Sequence, residues 1–224
     1  MEKVEEMERA WKIKYPKRNI CIMRDHNWAF SAWEISRITH EIDMGAKVLH
    51  VDFHDDYCDP NEKIEDIKTK EEALKVGEEL EIFEFIKAGK ETGTIKDVYM
   101  IGDYKMPPGD VIHSYTYNQF ENEHRKNFFQ AEDQSYILDL DLDFFNLHAY
   151  HNIEKNFDNN PFRYSSEYIR KQLEAFKQYD DEGIWDLITV CISPEHCGGF
   201  ETAQEILDIF IDFFNLKDED YIYW

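Results

Sequence analysis

Short apolar runs rich in β-formers alternate along the chain with longer stretches in which apolar residues recur every three or four positions. Residues 19–23 (Asn-Ile-Cys-Ile-Met) predict a buried strand, and 28–42 a helix with Ile35, Ile38 and Ile42 on one side. Residues 47–53 predict the next strand, followed beyond a charged loop by a helix over 70–90 with Val76, Leu80 and Phe83 on one face. A third strand at 97–102 is stopped by Gly102 and then by Pro107-Pro108-Gly109. A short strand at 111–115, a clear one at 136–143 and a last strong one at 186–192 follow. Helices are predicted at 166–178, capped by Ser165 or Ser166, and at 201–216, where Ala203, Leu207, Phe210 and Phe214 form a stripe.

Strands alternating with helices imply βαβ units, so the expected fold is α/β, three-layer α/β/α with a mainly parallel sheet. No repeat, low-complexity tract or linker interrupts the pattern, and one domain over 1–224 is expected. In such sheets ligands bind at the C-terminal ends of the strands. Met23-Arg24-Asp25-His26, Asp52 to Asp56, Asp139 to Asp143 and Ser193-Pro194-Glu195-His196 all lie at or just past strand ends. Carboxylates and imidazoles are thereby expected along one rim.

Charge narrows the class of partner. The 224 residues carry 25 Lys and Arg against 48 Asp and Glu, a formal net charge of −23. Such a chain is unsuited to neutralising nucleic-acid phosphates or to docking on anionic lipid. With 42% hydrophobic and 15% aromatic residues it is also too apolar for a disordered acidic tail. A cationic partner suits the excess, although ordinary solubilising surface accounts for most of it. Trp28, Trp33, Trp185 and Trp224 are expected in the core or at an interface, which leaves room for a homo-oligomer.

No run reaches the roughly 18 apolar residues of a membrane span. The start, MEKVEEMERAWK, does not read as a secretory signal. Cys21, Cys58, Cys191 and Cys197 show no CxxC spacing, so reduced thiols and a cytoplasmic location are expected.

The chemistry sits in two alternating motifs. Asp52-x-His54-x-Asp56 and Asp139-x-Asp141-x-Asp143, if extended, each turn three donors to one side. Burying carboxylates side by side is prohibitive unless cations compensate. With His26, the mixture of carboxylate and imidazole suits two ions of the Mn, Fe, Co, Ni or Zn type better than Ca or Mg. Glu195, just past the last strand, is a candidate to hold a planar cation such as a guanidinium through paired hydrogen bonds. Its plainer role would be an acid at the entry of the last helix.

His26 in Arg24-Asp25-His26-Asn27, then Asp52-x-His54-x-Asp56, then Asp141-x-Asp143 with Phe145, together resemble the metal-binding signature of the ureohydrolases (arginase, agmatinase, formimidoylglutamase). The resemblance spans about 19–216. Ser193-Pro194-Glu195-His196-Cys197-Gly198-Gly199 and the Leu-Asp-Leu-Asp-Phe-Phe form are similar to a divergent branch that includes the peptide arginases. Those enzymes convert arginine in precursor peptides to ornithine and urea. The resemblance implies two Mn2+ ions, His26 on one and His54 on the other, with Asp52 and Asp56 completing or bridging the pair. It implies Asp141 and Asp143 in the remaining positions and Asp139 as a partner behind them, whereas a one-step shift would select Asp139 and Asp141. The implied partner is an arginine-containing precursor peptide.

Two departures from the family stand out. The histidine expected a little over ten residues after Asp-x-His-x-Asp is missing between Asp59 and Glu72. His113, His148, His151 and His196 are candidate replacements, and His196, beside Glu195, is the best placed. The residues that grip a free amino acid's carboxylate and amine are not recognisable either, which fits arginine embedded in a peptide. The chain is also short ahead of His26, so the sheet is expected to be reduced at the N-terminus.

Rival readings remain open. Asp52-x-His54 followed by Gly102-Asp103 resembles metallophosphoesterases, without their later Gly-Asn-His. Asp139-x-Asp141 resembles the nucleophile loop of aspartate-dependent phosphatases. A metal-stabilised module that only captures basic peptides is the third.

Overall fold

The computed structural model describes residues 1–102, 113–129, 134–146 and 163–224. Its strands are β1 (Lys12–Tyr15), β2 (Ile20–Met23), β3 (Ala46–Val51), β4 (Ile95–Ile101), β5 (His113–Tyr115), β6 (Tyr136–Asp141), β7 (Leu187–Cys191) and β8 (Ile222–Tyr223). They form a single eight-stranded sheet in the order β5-β4-β3-β6-β7-β2-β1-β8. From β5 to β2 every neighbouring pair is parallel, while β1 runs antiparallel to both β2 and β8. The long helices are α1 (Trp28–Ile38), α2 (Lys70–Glu79), α3 (Phe85–Glu91), α4 (Ser166–Asp181) and α5 (Phe200–Phe213).

Alternation along the strands sorts the core into two layers. Met23, Val48 and Ile137 pack with Trp28, Trp33, Ala73 and Phe85 from α1, α2 and α3. Ile22, Leu49, Leu138 and Val190 pack on the other face with Leu173 and Phe176 of α4 and Leu207 and Phe210 of α5. The expected three-layer α/β/α arrangement is therefore present. Close approach of α2 to α1 depends on Gly77, because a Cβ there would collide with Ser31 Oγ. Buried Glu34 of α1 accepts hydrogen bonds from Arg37, Thr92 and Thr94, which ties α1 to the turn before β4. Among the described residues no helix is long and apolar enough to cross a membrane.

The predicted helix over 70–90 is in fact two. Leu80 leaves the helix with ψ 143°, and the turn is held by the Glu84 carboxylate accepting the Glu81 N–H at 3.0 Å. Phe83 is left exposed and Phe85 is buried instead. The helix predicted over 28–42 stops at Ile38, where His40 takes φ 63°. Ser165 caps α4 by accepting the Tyr168 N–H. Strands β1 and β8 were not expected, being four and two residues long. The helical turns at 117–128 likewise lack a readable period.

Candidate metal centre

Strand β2 ends at Met23, and His26 lies in the turn that opens α1, its carbonyl accepting the Ala29 N–H. The His26 ring is buried and stacked on Phe85 of α3, with centroids 4.3 Å apart. Its Nδ1 lies 3.3 Å from Asp52 Oδ2, 3.2 Å from Asp56 Oδ2 and 3.1 Å from Asp141 Oδ2. Three carboxylates from two segments, the turn after β3 and the end of β6, thus meet one imidazole nitrogen.

The aspartate motifs reach this point through turns, not through extended chain as their spacing suggested. Strand β3 stops at Val51, and Asp52 Oδ1 accepts the His54 N–H at 2.6 Å. Asp56 follows with φ 44°. Strand β6 stops at Asp141, whose Oδ1 accepts the Asp143 N–H at 3.0 Å and starts a short 3-10 turn, Leu142–Phe145. Short carboxylate side chains bond the backbone two residues on, and this competes with the ladder. Asp143 accepts the Phe53 N–H, and its Oδ2 lies 2.9 Å from His54 Nδ1.

Asp139 separates from the other two strand aspartates. It is fully buried, with Oδ2 bonded to His26 Nε2 at 3.1 Å and His50 Nδ1 at 2.7 Å. Thr189 Oγ1 donates to its Oδ1 at 2.5 Å. Both oxygens are engaged and the side chain is fully buried, out of reach of a phosphate substrate. Sequence reading overlooked His50, whose Nε2 lies 3.4 Å from Asp52 Oδ2. The available signal was the same period of two: His50 precedes Asp52 as Asp52 precedes His54.

The turn after β7 carries the third group. Ser193, with φ 42°, donates to Asp141 Oδ2 at 2.6 Å. The Glu195 carboxylate accepts from Arg24 Nη2 at 2.5 Å, and Arg24 also bonds Asp25. The His196 ring lies edge-on to His54, 5.0 Å between centroids. Cys191 and Cys197 are buried, and burial followed by the Asp141 charge pushes both thiols well above their ordinary range, so neither is a reactive thiolate. His113 lies on edge strand β5, two strands from β3. His148, His151 and Asp103 fall outside the described residues.

Charge in the cluster is strongly redistributed. Burial and then the Asp52 charge push Asp56 up to about 6. Burial, Asp141 and Asp52 push Asp143 well above the carboxylate range. Burial opposes the charge on Asp52, but His26 and His54 outweigh it and hold that carboxyl far down. Burial also opposes protonation of His54, yet Asp143 and Asp52 prevail and raise it to about 11.

The donor chemistry fits divalent cations. His26 Nδ1, His50 Nε2 and Asp52 Oδ2 are buried without a hydrogen bond, each facing atoms of the same cluster. His26, Asp52 and Asp56 form one compact set of donors, and Asp52, Asp141 and Asp143 a second that shares Asp52. His54, Asp143 and His196 form a third against it. Mixed imidazole and carboxylate of this kind is the donor set of a first-row transition metal.

Fold and site together define an arginase-like α/β architecture with a buried Asp/His cluster at the C-terminal rim of its sheet. Among solved structures the chain is similar to the native arginase of Bacillus caldovelox at pH 5.6, with TM-score 0.52 and 14% identity over 87% of this chain and 68% of that one. It is similar to the arginase of Bacillus cereus (0.51, 11%, covering 89% and 71%) and to that of Bacillus subtilis (0.51, 14%, covering 89% and 75%). No family model and no curated protein matches the sequence.

Proposed function

We propose that the protein is a two-metal hydrolase of guanidino groups that converts arginine within a peptide to ornithine and urea. The observation that carries this reading is the convergence of His26, Asp52, Asp56 and Asp141 on one point, with Asp143 and His54 paired beside it. His26, Asp52, Asp56 and Asp141 would hold one Mn2+, and His54, Asp143, Asp52 and Asp141 the other. Two such ions supply a hydroxide nucleophile at neutral pH and stabilise developing charge.

The remaining work falls to the chain. Ser193 fixes one oxygen of Asp141 through its hydroxyl. Glu195 is the residue that would hold the substrate guanidinium, and its 21% side-chain exposure leaves it accessible from the rim. His196, beside His54, would give the departing amine its proton. The acidic excess of the chain favours encounter with a basic peptide. A cytoplasmic enzyme acting on a ribosomally made precursor peptide is consistent with reduced cysteines.

The test is mass spectrometry of an arginine-containing peptide incubated with protein and Mn2+. A loss of about 42 Da per arginine, with urea released and both abolished in His54→Ala, is expected of hydroxide attack at a two-metal centre. Phosphatase activity without urea would overturn the reading, and peptide binding without turnover would leave only a capture module.

A further inference from the structure

Strand register places His50 of β3 opposite Asp139 of β6, and Asp139 opposite Thr189 of β7. The three side chains form a row one step below the carboxylates of the cluster, and all are fully buried. A carboxylate can only accept, so the bonds from His26 Nε2 and His50 Nδ1 to Asp139 Oδ2 require a hydrogen on each of those nitrogens. Thr189 spends its hydroxyl hydrogen on Asp139 Oδ1 and accepts Trp33 Nε1–H at 3.3 Å with its lone pair. Trp33 is itself fully buried in the layer beneath α1.

We infer that His50, Asp139 and Thr189 are positioning residues that lock the His26 ring with Nε2 inward, committing Nδ1 to a cation shared with Asp52, Asp56 and Asp141. The row runs unbroken from Trp33 through Thr189 and Asp139 to His26, so the ring's orientation is set by the hydrophobic layer. No water is needed to complete it, because each group in the chain from Trp33 Nε1 to His26 Nε2 has a protein partner. His50 adds a second clamp by holding Asp139 from the opposite side. A ligating imidazole held in this way loses little rotational freedom when it binds metal, and removing such a partner weakens metal binding by about 10–100-fold.

This inference rests on the metal binding proposed above but not on the reaction. The experiment measures Mn2+ uptake by the purified protein against a competing chelator, together with the electron paramagnetic resonance signal of the loaded centre. Wild type is expected to take two equivalents and give a spin-coupled spectrum. Asp139→Asn should weaken one equivalent by about 10–100-fold and leave an isolated-ion spectrum at limiting metal. Thr189→Val should shift the same equivalent in the same direction, and Thr189→Ser, which keeps the hydroxyl, should restore it. The Thr189 pair keeps the test decisive should Asp139→Asn fold poorly. Wild-type affinity for both equivalents in Asp139→Asn and Thr189→Val would overturn the inference, as would equal weakening of both equivalents without rescue by serine. Two tightly held ions with no urea released would sink the proposed reaction and leave the positioning row standing.

Discussion

Arg24 Nη2 lies 2.5 Å from Glu195 Oε1, so the carboxylate proposed to receive a substrate guanidinium already holds one from its own chain. Arg24 is buried and anchored a second time on Asp25, at 3.2 Å. It therefore aims Glu195 through one oxygen, so an incoming guanidinium would meet Oε2 alone and not the pair of oxygens that the sequence suggested.

Glu195→Gln should consequently lower kcat/KM for an arginine peptide by about 100-fold, the worth of a charge-assisted pair. Arg24→Met should raise KM by about tenfold with a smaller change in kcat, because it frees the carboxylate to wander without removing it. Steady-state urea release reads both. An unchanged KM in Arg24→Met would show that the pair is structural only.

Metal binding should release protons. His54, raised to about 11, Asp56, raised to about 6, and Asp143, held well above the carboxylate range, must all be deprotonated to act as donors. Affinity for Mn2+ should therefore rise with pH, more steeply below pH 6, where the Asp56 proton must be displaced as well, than above it. Calorimetry in two buffers of different ionisation enthalpy measures the number released. For folding of the metal-free protein the signs are opposite. The His54 contribution is fully present below its ordinary value of 6.5 and is lost as pH climbs toward 11, and Asp56 has the same sign, its contribution fully present below its ordinary 3.8 and lost as pH rises through about 6.

Filling the centre should stabilise the fold. At a free Mn2+ concentration 100 times the dissociation constant, each site adds about 2.7 kcal/mol. For a chain of this size that corresponds to a rise of roughly 5–10 °C per site in the melting temperature. A chelator should reverse the shift, and a thermal scan with and without metal measures it.

Phe85→Ala should reach further than an ordinary core truncation. Phe85 is fully buried and stacks on His26 while also meeting the edge of His50. Loss of the ring costs about 3–5 kcal/mol in stability. It also removes the wall behind His26, so Mn2+ affinity should fall in the variant that still folds, as measured by the same chelator competition.

The order of strands and helices was readable because the central parallel strands β2, β6 and β7 are buried on both faces and stand out as apolar runs, as in Ile20 to Met23 and Leu187 to Cys191. The edge pair β1 and β8 escaped because Lys12 and Lys14 interrupt the first and the second is two exposed residues long. Residues of the cluster announced themselves by type, since aspartates in an Ile and Leu strand have few other uses. Their arrangement did not, because hydrogen bonds from Asp52 and Asp141 to the backbone two residues on bend the chain just where alternation predicts it to stay straight. Thr189, and His50 despite its shared period of two with Asp52, were missed for a different reason. Each looks like a tolerable strand residue until register sets it beside Asp139.

The cluster thus has two tiers with different freedom to vary. The upper one, Asp52 to Asp56, Asp143 and Ser193, sits in turns beyond the paired residues, with Asp141 at the last rung of β6 as its anchor. The lower one is locked into the pairing of β3, β6 and β7, where any one-residue slip would turn all three side chains to the wrong face. Altered metal preference or substrate range should therefore be sought by diversifying the turns, while libraries that touch His50, Asp139 or Thr189 should return mostly inactive or unfolded clones.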